Sequence, residues 1–393
     1  MLDLTATQLA MRQAGIDGWL VWDFRNSNSV LGRLLGSGRK HLTRRVMLWI
    51  PAHGAPTLLS SAIDAGQFTS IPIARQTYIS YSELLDRLRG LLAGKRRVAM
   101  EYVPGGQLPA VSVVDAGTVE LVRSLGPDVV SSADLIQLAV GVWGSEARRG
   151  HDQASCKVAC IKDEAFDLIR AAHRASRSID ERTVQQHILS RFAALGLETN
   201  DEPIVAVNAH SGDPHYAPTD ASTLPIRPGD WVLIDLWARL PGEQHIFSDI
   251  TWVGYCGPDV PAAMRHAFDV VKAARDAALD AAVGAWNEKR SICGWELDEA
   301  AMRVLRDAGY GQWIRHRTGH SLSAGPLVHG SGMNLDNLET RDTRQMLPGI
   351  GFTIEPGVYG PDFGVRLEVN VHVDLSAGPT VTSCMQHDIV LLG

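Results

Sequence analysis

Four carboxylates and one imidazole stand on five separate apolar runs in the C-terminal part of the chain. Asp235 lies in TrpValLeuIleAspLeuTrp (231–237) and Asp249 in HisIlePheSerAspIleThrTrpVal (245–253). His320 lies in HisArgThrGlyHisSerLeu (316–322), Glu355 in GlyPheThrIleGluProGlyValTyr (351–359) and Glu368 in ValArgLeuGluValAsnVal (365–371). Acids on apolar runs are costly to bury unless a positive charge sits between them. A pair of divalent cations is the simplest such charge. Hard oxygens with one imidazole suit Mn²⁺, Fe²⁺, Co²⁺ or Zn²⁺ better than a thiolate-rich structural zinc site. Because carboxylates can bridge, five such ligands can hold two ions about 3.5–4 Å apart and lower the pKa of a shared water. The chemistry so implied is metal-activated hydrolysis. Taken singly, each residue has a plainer explanation. Asp249 could cap a turn after Ser248, His320 could be a packed histidine, and Glu368 could pair with Arg366 on the same face of a strand. Those explanations leave Asp235 and Glu355 without a role.

The elements that must carry these residues follow from periodicity and turn chemistry. The two aspartates fall on strands over 231–237 and 245–253, joined by a polar loop with Pro and Gly, and a hairpin can set two such carboxylates near each other. Helices are expected over 153–175, from an Asp180 N-cap to a stop at Gly196, over 259–286 and over 296–308. Upstream, helical and strand-like stretches alternate: helix 5–14 ended by Gly15, strand 18–22, strand 45–51, helix 82–92 and strand 96–102. Such alternation suggests an α/β layer structure. The segment 141–152 interrupts the apolar pattern with glycine and charge and marks a boundary, giving domains 1–145 and 146–393. The first half shows no clustered carboxylates, no histidine cluster and no glycine-rich phosphate loop.

A chain of 393 residues exceeds one typical core, so two domains are expected. With 45% hydrophobic and 21% charged residues it reads as globular. Its net charge of −7 and lack of a basic helix face argue against a nucleic-acid partner. No apolar run approaches a membrane span, and the N-terminus lacks a secretory pattern. The five scattered cysteines argue against a disulfide framework and fit a reducing cytoplasm. Cys156 and Cys160 are read as thiols on a packed helix face.

The ordered set of five residues resembles the pita-bread metallopeptidase family, which includes methionine aminopeptidase, aminopeptidase P and Xaa-Pro dipeptidase. The likeness spans 153–393 and implies an α+β pita-bread catalytic domain preceded by a smaller α/β, creatinase-like domain. Methionine aminopeptidase lacks that first domain, which favours the proline-specific branches. The resemblance implies Asp235, Asp249, His320, Glu355 and Glu368 as ligands of two divalent metal ions (Mn, Co or Zn), with Glu355 doubling as base toward a bridging hydroxide. His215 in GlyAspProHisTyrAlaPro (212–218) and His329 in LeuValHisGly correspond to histidines acting on the substrate or intermediate. His316 and Arg366 correspond to further substrate-binding positions. The implied reaction is hydrolysis of the Xaa-Pro bond in dipeptides. Aminopeptidase P action on longer peptides and non-peptidase hydrolase or lyase chemistry are the alternatives. A cytoplasmic homodimer is the expected form. Arg366, with Arg341 and Arg344 as weaker candidates, would meet the proline carboxylate. The chain departs from the pattern in four places. The loop after Asp235 is longer and lacks a tyrosine, Trp252 replaces an arginine, His329 is followed by Gly330, and the His320–His329 spacing is stretched.

Overall fold

A computed structural model describes residues 4–36 and 41–393; residues 1–3, which belong to the N-terminal stretch read above, lie outside them. The chain divides into two compact units, Met1–Val140 and Gly141–Gly393.

The first unit is a mixed six-stranded sheet flanked by helices. Its strands are β1 (Gly18–Phe24), β2 (Arg45–Pro51), β3 (Thr57–Ser61), β4 (Ala74–Tyr78), β5 (Arg97–Met100) and β6 (Asp128–Ser131), in the order β4-β3-β2-β1-β5-β6. The helices are α1 (Thr5–Gln13), α2 (Ser29–Leu35), α3 (Tyr81–Leu92), α4 (Ala116–Ser124) and the short α5 (Ala133–Ile136). Strand alternation feeds two apolar layers: Trp19, Val21, Val46 and Leu48 pack on one face, and Leu20, Trp22, Met47 and Trp49 on the other. Gly15 ends α1 with φ 64°, a left-handed conformation that suits glycine. At the end of β5, Glu101 is fully buried and accepts hydrogen bonds from Trp19 Nε1 (2.5 Å), Asn28 Nδ2 (2.6 Å), Ser132 Oγ (3.1 Å) and Trp22 N (3.4 Å).

The second unit begins with α6 (Ser145–Arg174) and α7 (Glu181–Ala194), then β7 (Ile204–Val207), β8 (Trp231–Ala238) and β9 (Ser248–Tyr255). It continues with α8 (Ala262–Asn287), α9 (Gly294–Asp307), β10 (Ser321–Leu322), β11 (Gly351–Ile354), β12 (Gly357–Tyr359), β13 (Gly364–Arg366), β14 (Val369–Asp374), β15 (Gly378–Val381) and β16 (Val390–Leu391). One sheet runs β16-β9-β8-β7, a second β10-β11-β14-β15, and β12 pairs with β13 as a separate ribbon. Alternation along β8 decides the layering. Val232, Ile234 and Leu236 pack with α6 and α7, whereas Trp231 and Leu233 pack with α8, α9 and the second sheet. Asp235 has the parity of the second set, which aims it at the space between the two sheets.

Three local expectations are corrected. The helix expected from 153 starts at Ser145, so the glycine- and charge-rich segment is its opening turns. Gly150 is tolerated there because the helix packs closely; a Cβ would lie 2.5 Å from His245 Nδ1. The strand expected from 245 starts at Ser248, and residues 245–247 belong to the preceding loop. Cys156 and Cys160 are on α6 but exposed, not on its packed face.

Candidate metal centre

β8 and β9 pair with Asp235 opposite Thr251 and Trp237 opposite Asp249. The two aspartates are therefore diagonal neighbours on one face, not directly opposed. Asp249 caps no turn. It lies within β9, where Asn370 grips its backbone from both sides: Asp249 N donates to Asn370 Oδ1 (3.0 Å), and Asn370 Nδ2 donates to Asp249 O (2.5 Å).

His320 and Glu355 are fixed as a pair by Thr353. Thr353 N donates to His320 O (2.8 Å), His320 N donates to Thr353 Oγ1 (2.9 Å), and Thr353 Oγ1 lies 3.1 Å from Glu355 Oε1 as donor. Gly319 permits this approach, since a Cβ there would meet Thr353 O at 2.1 Å. Glu368, between β13 and β14, is held by its N–H donating to Thr251 O (3.2 Å) and by Thr251 Oγ1 donating to its Oε2 (2.9 Å).

The five side chains converge. His320 Nε2 lies 3.4 Å from Asp249 Oδ2 and 3.5 Å from Glu355 Oε1. Ligand atoms of Asp249, His320 and Glu368 all lie within 4.8 Å of one another. His320 Nδ1 is 3.1 Å from the Ser321 carbonyl, so the proton of the neutral ring sits on Nδ1. The Nε2 lone pair then faces carboxylate oxygens, an arrangement that calls for a cation between them. Two further atoms say the same: Asp235 Oδ1 and Glu368 Oε1 are buried without a hydrogen-bond partner.

Electrostatics agree. Burial, then the charges of Asp235 and Glu355, push Asp249 well above the carboxylate range. Burial and the Asp249 charge do the same to Glu368. Burial raises Asp235, and raises Glu355 to about 7, both opposed by Arg366. Burial also holds the His320 imidazole well below its usual range. For the acids, the shifts reflect burial first and then mutual repulsion, which a cation between them would relieve. The residues therefore fit divalent cations.

Arg366 does not pair with Glu368. Its Nε donates to Thr251 Oγ1 (3.0 Å), one amino group to Tyr359 OH (2.9 Å) and the other to Asp235 Oδ2 (2.5 Å). Tyr359 OH in turn lies 2.5 Å from His316 Nε2, while His316 Nδ1 lies 2.6 Å from the Arg317 carbonyl. Both ring nitrogens of His316 are thus engaged within the protein, and burial lowers its pKa to about 3. His329 stands at the rim, with its ring 4.1 Å from that of His320. His215 lies on the exposed loop after β7 and acts electrostatically on both His316 and His329. Arg344 is buried against Asp342 and the Ser331 carbonyl, and Arg341 lies over the Trp295 ring at 4.4 Å. Sequence reasoning passed over Tyr359, Thr251 and Asn370. Gly357 leaves room for the Tyr359 hydroxyl, 2.5 Å from where a Cβ would sit, a closeness no local sequence pattern signals.

Comparison with known proteins decides the lineage. The model of metallopeptidase family M24 matches residues 154–374, which include all five convergent side chains. The chain belongs to metallopeptidase family M24. Within M24, it is 32% identical over 173 residues to an Xaa-Pro dipeptidase of Lactobacillus delbrueckii subsp. lactis, covering 44% of this chain and 42% of that enzyme. It is 29% identical over 379 residues to a probable dipeptidase PepE of Mycobacterium tuberculosis, covering 91% of this chain and 88% of that protein. The crystal structure of dipeptidase PepE from Mycobacterium ulcerans superposes with a TM-score of 0.71 at 21% identity, covering 99% of this chain and 96% of that one. The fold is accordingly the pita-bread α+β fold of M24, preceded in sequence by a smaller α/β domain. No helix among the described residues is long and apolar enough to cross a membrane.

Proposed function

We propose that this M24 protein hydrolyses the Xaa-Pro bond of dipeptides and releases proline. The observation that carries the reading is the placing of Asp249 and Glu355 beside His320 Nε2 and of Glu368 within 4.8 Å of Asp249 and His320, with one buried oxygen of Asp235 and one of Glu368 unpartnered. These five residues would hold two divalent ions, Mn²⁺, Co²⁺ or Zn²⁺. Bound there, the ions supply Lewis acidity and a water of lowered pKa. Xaa-Pro cleavage is the activity named for the Lactobacillus relative.

The chain's own residues take the remaining roles. Glu355 receives the proton of the attacking water as the new C–O bond forms, then passes it to the prolyl nitrogen as the C–N bond breaks. His215 and His329 face the scissile carbonyl and stabilise the charge that develops on its oxygen. Arg366 and His316 act through the Tyr359 hydroxyl and the Asp235 carboxylate, holding the acid in place instead of binding substrate. An Xaa-Pro bond has no N–H, so the pocket must grip its substrate by the ends and the ring. We assign the substrate carboxylate to Arg317, a guanidinium at this site that also meets Glu339 and Asp336. Its charge acts on His316, His320, His329 and Glu355, and its own acidic partner Glu339 is only 3.3 Å away. A cytoplasmic homodimer completes the reading and is checked by light scattering and cell fractionation.

The test is a panel of Ala-Pro and Ala-Pro-Ala run on apo-protein refilled with Mn²⁺, Co²⁺ or Zn²⁺. Proline release from Ala-Pro is expected to be the faster reaction. Faster cleavage of the tripeptide would make the protein an aminopeptidase P. No proline release from either peptide, with metal bound, would reassign it to other chemistry on the same fold.

A further inference from the structure

The loop 239–247 joins the strand of Asp235 to the strand of Asp249, yet its contacts run to another part of the second unit. Arg239 is only 5% exposed. Its Nε and one amino group reach Glu198 Oε1 at 2.9 and 2.8 Å, and its guanidinium lies 4.6 Å from the Phe247 ring centroid. The other amino group donates to the Gly325 carbonyl, while Gly325 N donates to the Glu243 carbonyl (2.8 Å). Both backbone polar groups of Gly325 are therefore taken by the loop between the two aspartates. His245 of that loop in turn packs against α6 at Gly150.

Gly325 belongs to the segment 323–332, which carries His329. The far end of this segment has its own anchors: Gly330 N to Ser321 O (2.6 Å), Ser331 N to Ser323 Oγ (3.1 Å) and Arg344 to Ser331 O (3.0 Å). Between the two anchored ends Leu327 is 57% exposed, while Ala324 and Val328 pack against the small cluster of Trp143, Ile246 and Leu322, to which the loop of Arg239 contributes Ile246. A guanidinium suits the near anchor, because its planar fork can satisfy Glu198 and a carbonyl together while stacking on Phe247.

We propose that Arg239 is a positioning residue that fixes segment 323–332, and through it His329, so that the loop between the metal-site aspartates sets the substrate wall. This rests on the reading of His329 as a substrate-facing group. It also gives the extended loop a purpose that the five convergent side chains do not require.

The test combines hydrogen exchange with a double-mutant cycle on the metal-loaded full chain. Without substrate, Arg239→Met should raise amide exchange across 323–332 by roughly tenfold and leave α8 unchanged, with Arg239→Lys in between. Glu198 is 40% exposed at its side chain and stays solvated in either variant. With Ala-Pro, Arg239→Met should lower kcat/KM by about tenfold in the wild-type background. In a His329→Ala background it should lower it by less than about threefold. Unchanged exchange across 323–332, or equal losses in both backgrounds, would overturn the proposal. If wild-type protein releases no proline from Ala-Pro, the substrate reading falls and the exchange result alone decides whether Arg239 anchors the segment.

Discussion

Glu101 and the five convergent side chains show how differently buried acids can be managed at the scale of the residue. Glu101 is surrounded by four uncharged donors, and burial still raises its pKa to about 7. Its unfolded value is near 4.5, so between the two the folded state holds the proton more tightly and binds more of it. Stability conferred on the first unit is then full below pH 4.5 and is lost as pH rises toward 7, by about 3 kcal/mol in all. Denaturant melts of that unit should show this slope, and Glu101→Gln should abolish it; an unchanged slope in the variant would rule Glu101 out as its source. The acids of the proposed metal site drew notice in the sequence because each sits on an apolar run. Glu101 was not singled out, because its four donors come from segments scattered between Trp19 and Ser132.

Elements were legible where one period dominated. The strands of Asp235 and Glu355 stand where alternation and turn residues put them, Trp231–Ala238 and Gly351–Ile354. The start of α6 was hidden because Gly144 and Gly150 read as breakers, although Gly150 is there for close packing against His245. The Tyr359–Arg366 contact was equally hidden. It depends on the β12–β13 ribbon, in which Gly357 opposes Arg366, and no local pattern reports a cross-ribbon neighbour. The same logic of close approach governs β10 and β11. Gly319→Ala would drive a methyl into the Thr353 carbonyl, the group next to both His320 and Glu355. The expected cost is about 3 kcal/mol, with loss of metal affinity beyond the loss of stability. A thermal melt paired with a metal titration checks it; wild-type behaviour in both would show that the contact does not hold the two ligands in place.

For the whole molecule, each unit has its own apolar cores, and chemistry-bearing side chains gather in the second. There the inward face of β8 and β9 and the ends of β10, β11 and β14 deliver acids from distant points of the chain to one buried volume. Arg366 stands against the charges of Asp235, Glu355 and Glu368, and Arg317 acts on Glu355 as well. Divalent cations would relieve the crowding of these buried acids, so metal binding and stability should be linked. The most direct measurement is metal content per chain by inductively coupled plasma mass spectrometry, on wild-type protein and Asp249→Ala loaded with Mn²⁺, Co²⁺ or Zn²⁺. About two ions per wild-type chain and a clear loss in the variant are expected. Equal metal content in the two proteins would contradict a metal centre built on Asp249 and its neighbours.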